Sequence, residues 1–137
     1  MPRNTILLRG DAEEHSGIVT TATITPGMLV EMVGTNGYRR HATAAGAAAA
    51  FFARQQHEND GAGVDDAIAV GDEVTVLYAE KGATINAYTT DTIARGGFVE
   101  SDGVGGVRAF GSGVKLGVAQ AASDLSGDVG RVEIIII

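Results

Sequence analysis

The sequence predicts an all-β protein, a compact β-sandwich or β-barrel of short antiparallel strands with an extended N-terminal arm. Three observations carry this. Twenty glycines against two prolines in 137 residues give a chain with many turns and bends rather than long helices. Apolar residues alternate with polar or β-branched ones in several short runs, the period of a half-buried strand. Turn signals recur at close to the spacing of about 8 to 12 residues that sandwiches and barrels show. A chain of this length buries about two-thirds of the surface its unfolded form exposes, enough for one core.

The clearest run is residues 68–88. Glu73, Thr75 and Leu77 alternate with Val74, Val76 and Tyr78, Glu80-Lys81-Gly82 supplies a tight polar turn, and alternation resumes from Thr84 to Tyr88. This reads as a β-hairpin around which the rest of the chain is organised. Towards the N-terminus, Thr5, Ile6, Leu7, Leu8 and Arg9 form a short extended segment, and the polar stretch 10–17 after it lacks a hydrophobic period. The expected division is an arm and flexible acidic joint over residues 1–17, then a single β domain over 18–137.

Within that domain, residues 18–24 alternate as a strand and Thr25-Pro26-Gly27 turns the chain. Residues 28–33 pair with 38–41 across Gly34-Thr35-Asn36-Gly37, where Asn36-Gly37 suits the two left-handed positions of a type I′ turn. The alanine-rich run 42–48 reads as a loop or short helical turn leading into a strand over 49–55, and 56–66 as an exposed polar excursion. Residues 89–97 connect to a short strand over 98–100. Further strands are expected over 106–110, 114–120 and 131–137, separated by turns at Asp102-Gly103 and Gly111-Ser112-Gly113 and by a polar loop over 121–130.

Ten Lys and Arg against seventeen Asp and Glu leave a formal charge of −7. Binding nucleic acid requires a positive surface that displaces counterions, so direct contact with DNA or RNA is not expected. The absence of Cys removes disulfides, thiol nucleophiles and thiolate-ligated metals. Three successive apolar residues at 6–8 fall far short of a secretory signal, and the small apolar run 44–53 is about half the length of a bilayer span, so neither export nor membrane insertion is expected.

The glycine-rich stretch 103–113 suggests a phosphate cradle, but a cradle needs a following helix and here the flanks are strand-like, so these read as turn glycines. His15, His41 and His57 lie in separate segments without metal-ligand spacing. The acidic pairs Glu13-Glu14, Asp65-Asp66 and Glu100/Asp102 read as solvated turns rather than as paired general acids and bases. No serine sits in a Gly-x-Ser-x-Gly elbow. Catalytic, metal and cofactor residues are therefore not assigned. Ile134, Ile135, Ile136 and Ile137 are four β-branched residues without a solvent face. A fully buried strand and a strand that pairs across a subunit boundary both explain them.

The order of five segments is informative. Ile24-Thr25-Pro26-Gly27-Met28-Leu29-Val30-Glu31, Gly71-Asp72-Glu73-Val74, Gly82-Ala83-Thr84-Ile85-Asn86-Ala87-Tyr88, Gly97-Phe98-Val99-Glu100-Ser101 and Leu116-Gly117-Val118-Ala119 together resemble the head decoration, or capsid cement, proteins of tailed bacteriophages. The resemblance runs from about residue 18 onward. It implies a small β protein without catalysis or cofactor, made in the host bacterial cytoplasm and located on the outer surface of the virion capsid. There it would bind the major capsid protein, commonly as a homotrimer, and stabilise the mature DNA-filled head. The expected capsid or subunit contacts are Thr5, Ile6, Leu7, Leu8 and Arg9, as an arm adding a strand to a neighbour, and Ile134, Ile135, Ile136 and Ile137. The alternative from another class is a small-ligand or carbohydrate-binding β module, which would ordinarily want more stacking aromatics than three Tyr, four Phe and no Trp. A hydrolase on a β scaffold lacks a nucleophile or metal set.

Overall fold

A computed structural model describes residues 5–55 and 63–137. Among them are eleven strands and no helix: β1 (Leu7–Arg9), β2 (Ala12–Val19), β3 (Val30–Val33), β4 (Gly37–Arg40), β5 (Phe51–Ala53), β6 (Glu73–Ala79), β7 (Thr84–Tyr88), β8 (Phe98–Ser101), β9 (Val107–Ala109), β10 (Gly117–Ala119) and β11 (Arg131–Ile136). They form a six-stranded sheet in the order β1-β7-β11-β10-β8-β9 and a five-stranded sheet in the order β3-β4-β2-β6-β5. The all-β expectation holds.

Two cores stabilise this arrangement. One lies between the sheets, where Phe52, Leu77 and Ala79 of the five-stranded sheet meet Ile85, Val99, Val132, Ile134 and Ile136 of the other. The second lies on the opposite face of the five-stranded sheet and contains Val19, Met28, Val30, Tyr38, Val74 and Val76. Strand β6 serves both, because successive side chains point to opposite faces: Val74 and Val76 enter one core, Leu77 and Ala79 the other. The five-stranded sheet also curls until β5 meets the residues before β3. Leu29 bridges Phe52, and the Ala53 amide donates to the Met28 carbonyl at 3.0 Å. Each large aliphatic side chain buried this way contributes about 1.5–3 kcal/mol.

The expected hairpin over residues 68–88 is corrected. Both strands exist, but β6 pairs with β2 and β5 whereas β7 pairs with β1 and β11 in the other sheet. The turn itself hands the chain across. The Ala83 amide donates to the Glu80 carbonyl, while the Glu80 amide goes to Asp11 beside β2 and the Gly82 amide to Ile136 of β11. Backbone donors on the two sides of one turn are thus satisfied in different sheets.

The N-terminal arm and joint are also corrected. Leu7 and Arg9 pair with Ile85 and Thr84 of the same chain, and the Ile6 side chain is 0% exposed in the core between the sheets. Residues 12–17 belong to β2, which pairs with β6 from Ala12↔Ala79 to Ile18↔Glu73. Their polar side chains hid a strand whose order comes from backbone pairing rather than from an apolar face. A boundary at residues 17 and 18 would therefore cut through β2. The strand expected over 18–24 retains only Ile18 and Val19; Thr21 takes φ 71° and Ile24 pairs with Ile68 as an isolated bridge.

The β3–β4 hairpin is present with Val33↔Gly37 in register, but Gly34, at φ 63°, is the left-handed residue, not Asn36 and Gly37. Gly37 is needed for space: a Cβ there would lie 2.8 Å from Thr20 Cγ2 and 2.8 Å from the Val33 carbonyl oxygen. The strand expected over 49–55 is present as β5, without a helical turn before it. The excursion over 56–66 lies partly outside the described residues, as does His57.

Candidate interaction surface

Strand registers place three apolar side chains in a row on the outer face of the six-stranded sheet. Phe98 of β8 pairs with Val118 of β10, and Val118 pairs with Ile135 of β11. Directly paired residues share a face, and their neighbours Val99, Gly117 and Ile136 pair on the core side. Phe98 is 40% exposed, and Val118 and Ile135 are half-buried. The Lys115 ammonium sits 4.2 Å from the Phe98 ring centroid and 5.2 Å from that of Phe110, a cation–π arrangement that fixes one end of the row. Beyond β11, Ile137 is 48% exposed and borders a groove of about 500 Å³ that also touches Tyr78, Lys81, Lys115 and Leu116.

The segments singled out in the sequence meet at this sheet. Strand β11 is separated from β1 by β7 alone. Ile134 and Ile136 point into the core, whereas Ile135 faces outward and Ile137 is exposed. The alternation of strand side chains therefore divides the four isoleucines. Of the N-terminal set, Ile6 is buried, Leu7 and Leu8 are half-buried, and Thr5 and Arg9 are exposed. Phe98, Val118 and Lys115 were missed because the row exists only after β8, β10 and β11 are set in register. Phe98 at the head of a short strand was the available signal.

The glycine-rich stretch does form an anion cradle, and the anion is the protein's own. The Glu100 side chain is 1% exposed, and its Oε1 accepts the amides of Gly111 at 2.8 Å and Gly113 at 3.1 Å. Its Oε2 accepts Arg108 Nε and Nη2 at 3.0 and 2.8 Å. The Gly111 amide, then the Arg108 guanidinium, hold the Glu100 carboxyl below the usual carboxylate range. The Asp102 side chain also binds its own loop, accepting the Val104 and Gly106 amides through Oδ1. These carboxylates are bound to their own loops, and that spacing alone did not show.

Two further polar groups have partners within the fold. The buried His41 ring contacts Ser101 Oγ at 2.6 Å through Nδ1 and the Ala47 carbonyl at 3.1 Å through Nε2. Since a carbonyl only accepts, Nε2 carries a proton, and in the neutral ring the serine hydroxyl donates to Nδ1. Arg131 reaches across the molecule to the Pro26 and Val64 carbonyls and to Asp65. Among the described residues, no group of three or more His, Cys, Asp or Glu has an arrangement that could hold a metal ion.

Fold and geometry together define a two-sheet β protein with an apolar row on one outer sheet face. No family model matches the chain, and no curated protein matches it.

Proposed function

We propose that this chain is a structural virion protein that decorates the outer surface of a tailed-phage head, binding the major capsid protein and stabilising the DNA-filled shell. The order of sequence segments resembling head decoration proteins suggests the class. The observation that carries the reading is the Phe98–Val118–Ile135 row, a surface suited to protein contact. In this reading the outward Ile135 and Ile137 meet a second and third copy in a homotrimer. Several modest contacts with neighbouring capsid subunits then add through avidity.

The test uses DNA-filled heads that lack the protein. Added protein should cosediment with them, appear as density on the outer surface in cryo-electron microscopy, and delay heat-induced DNA release. Protein that stays in the supernatant at every concentration, leaving release unchanged, would sink the proposal.

A further inference from the structure

Among the described residues, strand β2 has one edge open over residues 12–16. On one side it pairs with β6 along its length, but on the other β4 meets it only at Ile18 and Val19. Backbone groups of successive strand residues point to opposite edges. The Asp11 carbonyl accepts from Glu80, and Val19 bonds Asp72 and Gly71, so odd-numbered residues face the β6 side. The Ile18 amide donates to Asn36 and that of Thr20 to Tyr38, so even-numbered residues face the β4 side. Ala12, Glu14 and Ser16 therefore direct their N–H and C=O groups outward, where no backbone partner lies among the described residues. The slot spans five residues, about 17 Å.

Its charge selects the occupant. Asp11, Glu13 and Glu14 flank the slot, with the Glu13 and Glu14 side chains 70% and 58% exposed. Arg54 lies 3.7 Å from Glu14, and His15 lies 3.4 Å from Glu13. A second copy added antiparallel about Glu14 would set Glu14 directly opposite Glu14, a like-charge pair that disfavours self-association at this edge. An extended segment bearing Lys or Arg gains both the open backbone bonds and the carboxylates.

We propose that the β2 edge over residues 12–16 docks an extended, basic segment of a different protein, which joins the five-stranded sheet as an added strand. This edge belongs to the other sheet from the Phe98 row, so the proposal stands or falls apart from the capsid reading.

The probe is a synthetic peptide alternating Lys and Val, with an alternating Glu–Val peptide as control, added to the intact protein. Amide hydrogen exchange is followed by NMR. The Lys–Val peptide should slow exchange at Ala12, Glu14 and Ser16 by roughly tenfold, about 1.4 kcal/mol, while Glu13 and His15 change little and the Glu–Val peptide has no effect. Ser16→Pro removes an outward N–H and obstructs the slot without removing a β2–β6 bond, so it should fold and lose this protection. Joint Glu13→Lys and Glu14→Lys replacement should exchange the peptide preference, and it serves as the deciding variant if Ser16→Pro does not fold. Peptide binding without slowed exchange, an unchanged response in the decisive variant, or protection that rises with protein concentration alone would each overturn the proposal. The last result would assign the edge to a second copy.

Discussion

Glu100 and Arg108 are paired across the β8–β9 ladder, and the guanidinium holds one carboxylate oxygen while the loop amides of Gly111 and Gly113 hold the other. Each of these bonds is stronger to the charged carboxylate than to the neutral acid, which is why its pKa is lowered. A depressed carboxyl contributes stability that is fully present above its unfolded pKa, about 4.3, and is lost as pH falls through the folded value. Melting temperature should therefore drop as pH is lowered below about 4. Asp124, held by the Ser126 hydroxyl and amide, is shifted in the same direction. Glu100→Gln should lower the melting temperature at pH 7 and reduce, without abolishing, the acid slope. An unchanged slope in this variant would mean the cradle does not depend on charge.

Ile134 and Ile135 are adjacent in sequence and opposite in environment. Ile134→Ala should cost about 2–5 kcal/mol in urea unfolding, because the packed core between the sheets relaxes only partly around the cavity. Ile135→Ala removes a half-buried outer side chain and should cost under about 1.5 kcal/mol. In the proposed assembly, Ile135→Asp should also yield a folded monomer by sedimentation equilibrium where the parent chain forms trimers. If the Ile135 variants unfold as readily as Ile134→Ala, the outward face is structural and has no assembly role.

Local alternation made many strands legible, including β3, β4, β6, β7 and β11. It could not show which strands pair, because a tight turn such as 80–83 looks the same whether it closes a hairpin or passes between sheets. The destination of the Glu80 and Gly82 amides decides that, and it depends on Asp11 and Ile136, residues distant in sequence. Strand β2 was hidden for a related reason: Glu13, Glu14 and Ser16 carry no apolar signal, and the strand is ordered by its pairing with β6. The four isoleucines were legible as a strand needing cover on both faces. The row they join through Ile135 depends on register with Val118 and Phe98, which a single sequence does not display.

Removing residues 1–10 should destabilise the domain rather than leave it intact. The deletion takes β1 from the edge of β7 and removes Ile6 from the core. Ile6→Ala isolates the packing part and should cost about 2–5 kcal/mol, read from chemical denaturation. A truncated chain that melts with the parent would restore the view of this segment as a detachable arm.

Two glycines around the β3–β4 hairpin separate the effects of space and backbone conformation. At Gly17 a Cβ would lie 2.5 Å from the Asn36 carbonyl oxygen and 2.6 Å from Tyr38 Cδ2, so even alanine must push β2 from the hairpin. That carbonyl accepts the Ile18 amide at 2.9 Å, which ties the steric clash to the short parallel seam between β2 and β4. Overpacking of this kind costs about 1–3 kcal/mol, and Gly17→Ala should reach that range. At Gly34 a Cβ meets nothing within 4 Å, but φ is 63°. The cost there is conformational, so Gly34→Asn, which tolerates the left-handed region, should be milder than Gly34→Val. Equilibrium unfolding of the three variants gives the comparison. A neutral Gly17→Ala would show that the β2–β4 seam is looser than its contacts imply, and equal losses for Asn and Val at position 34 would remove backbone conformation as the reason for glycine there.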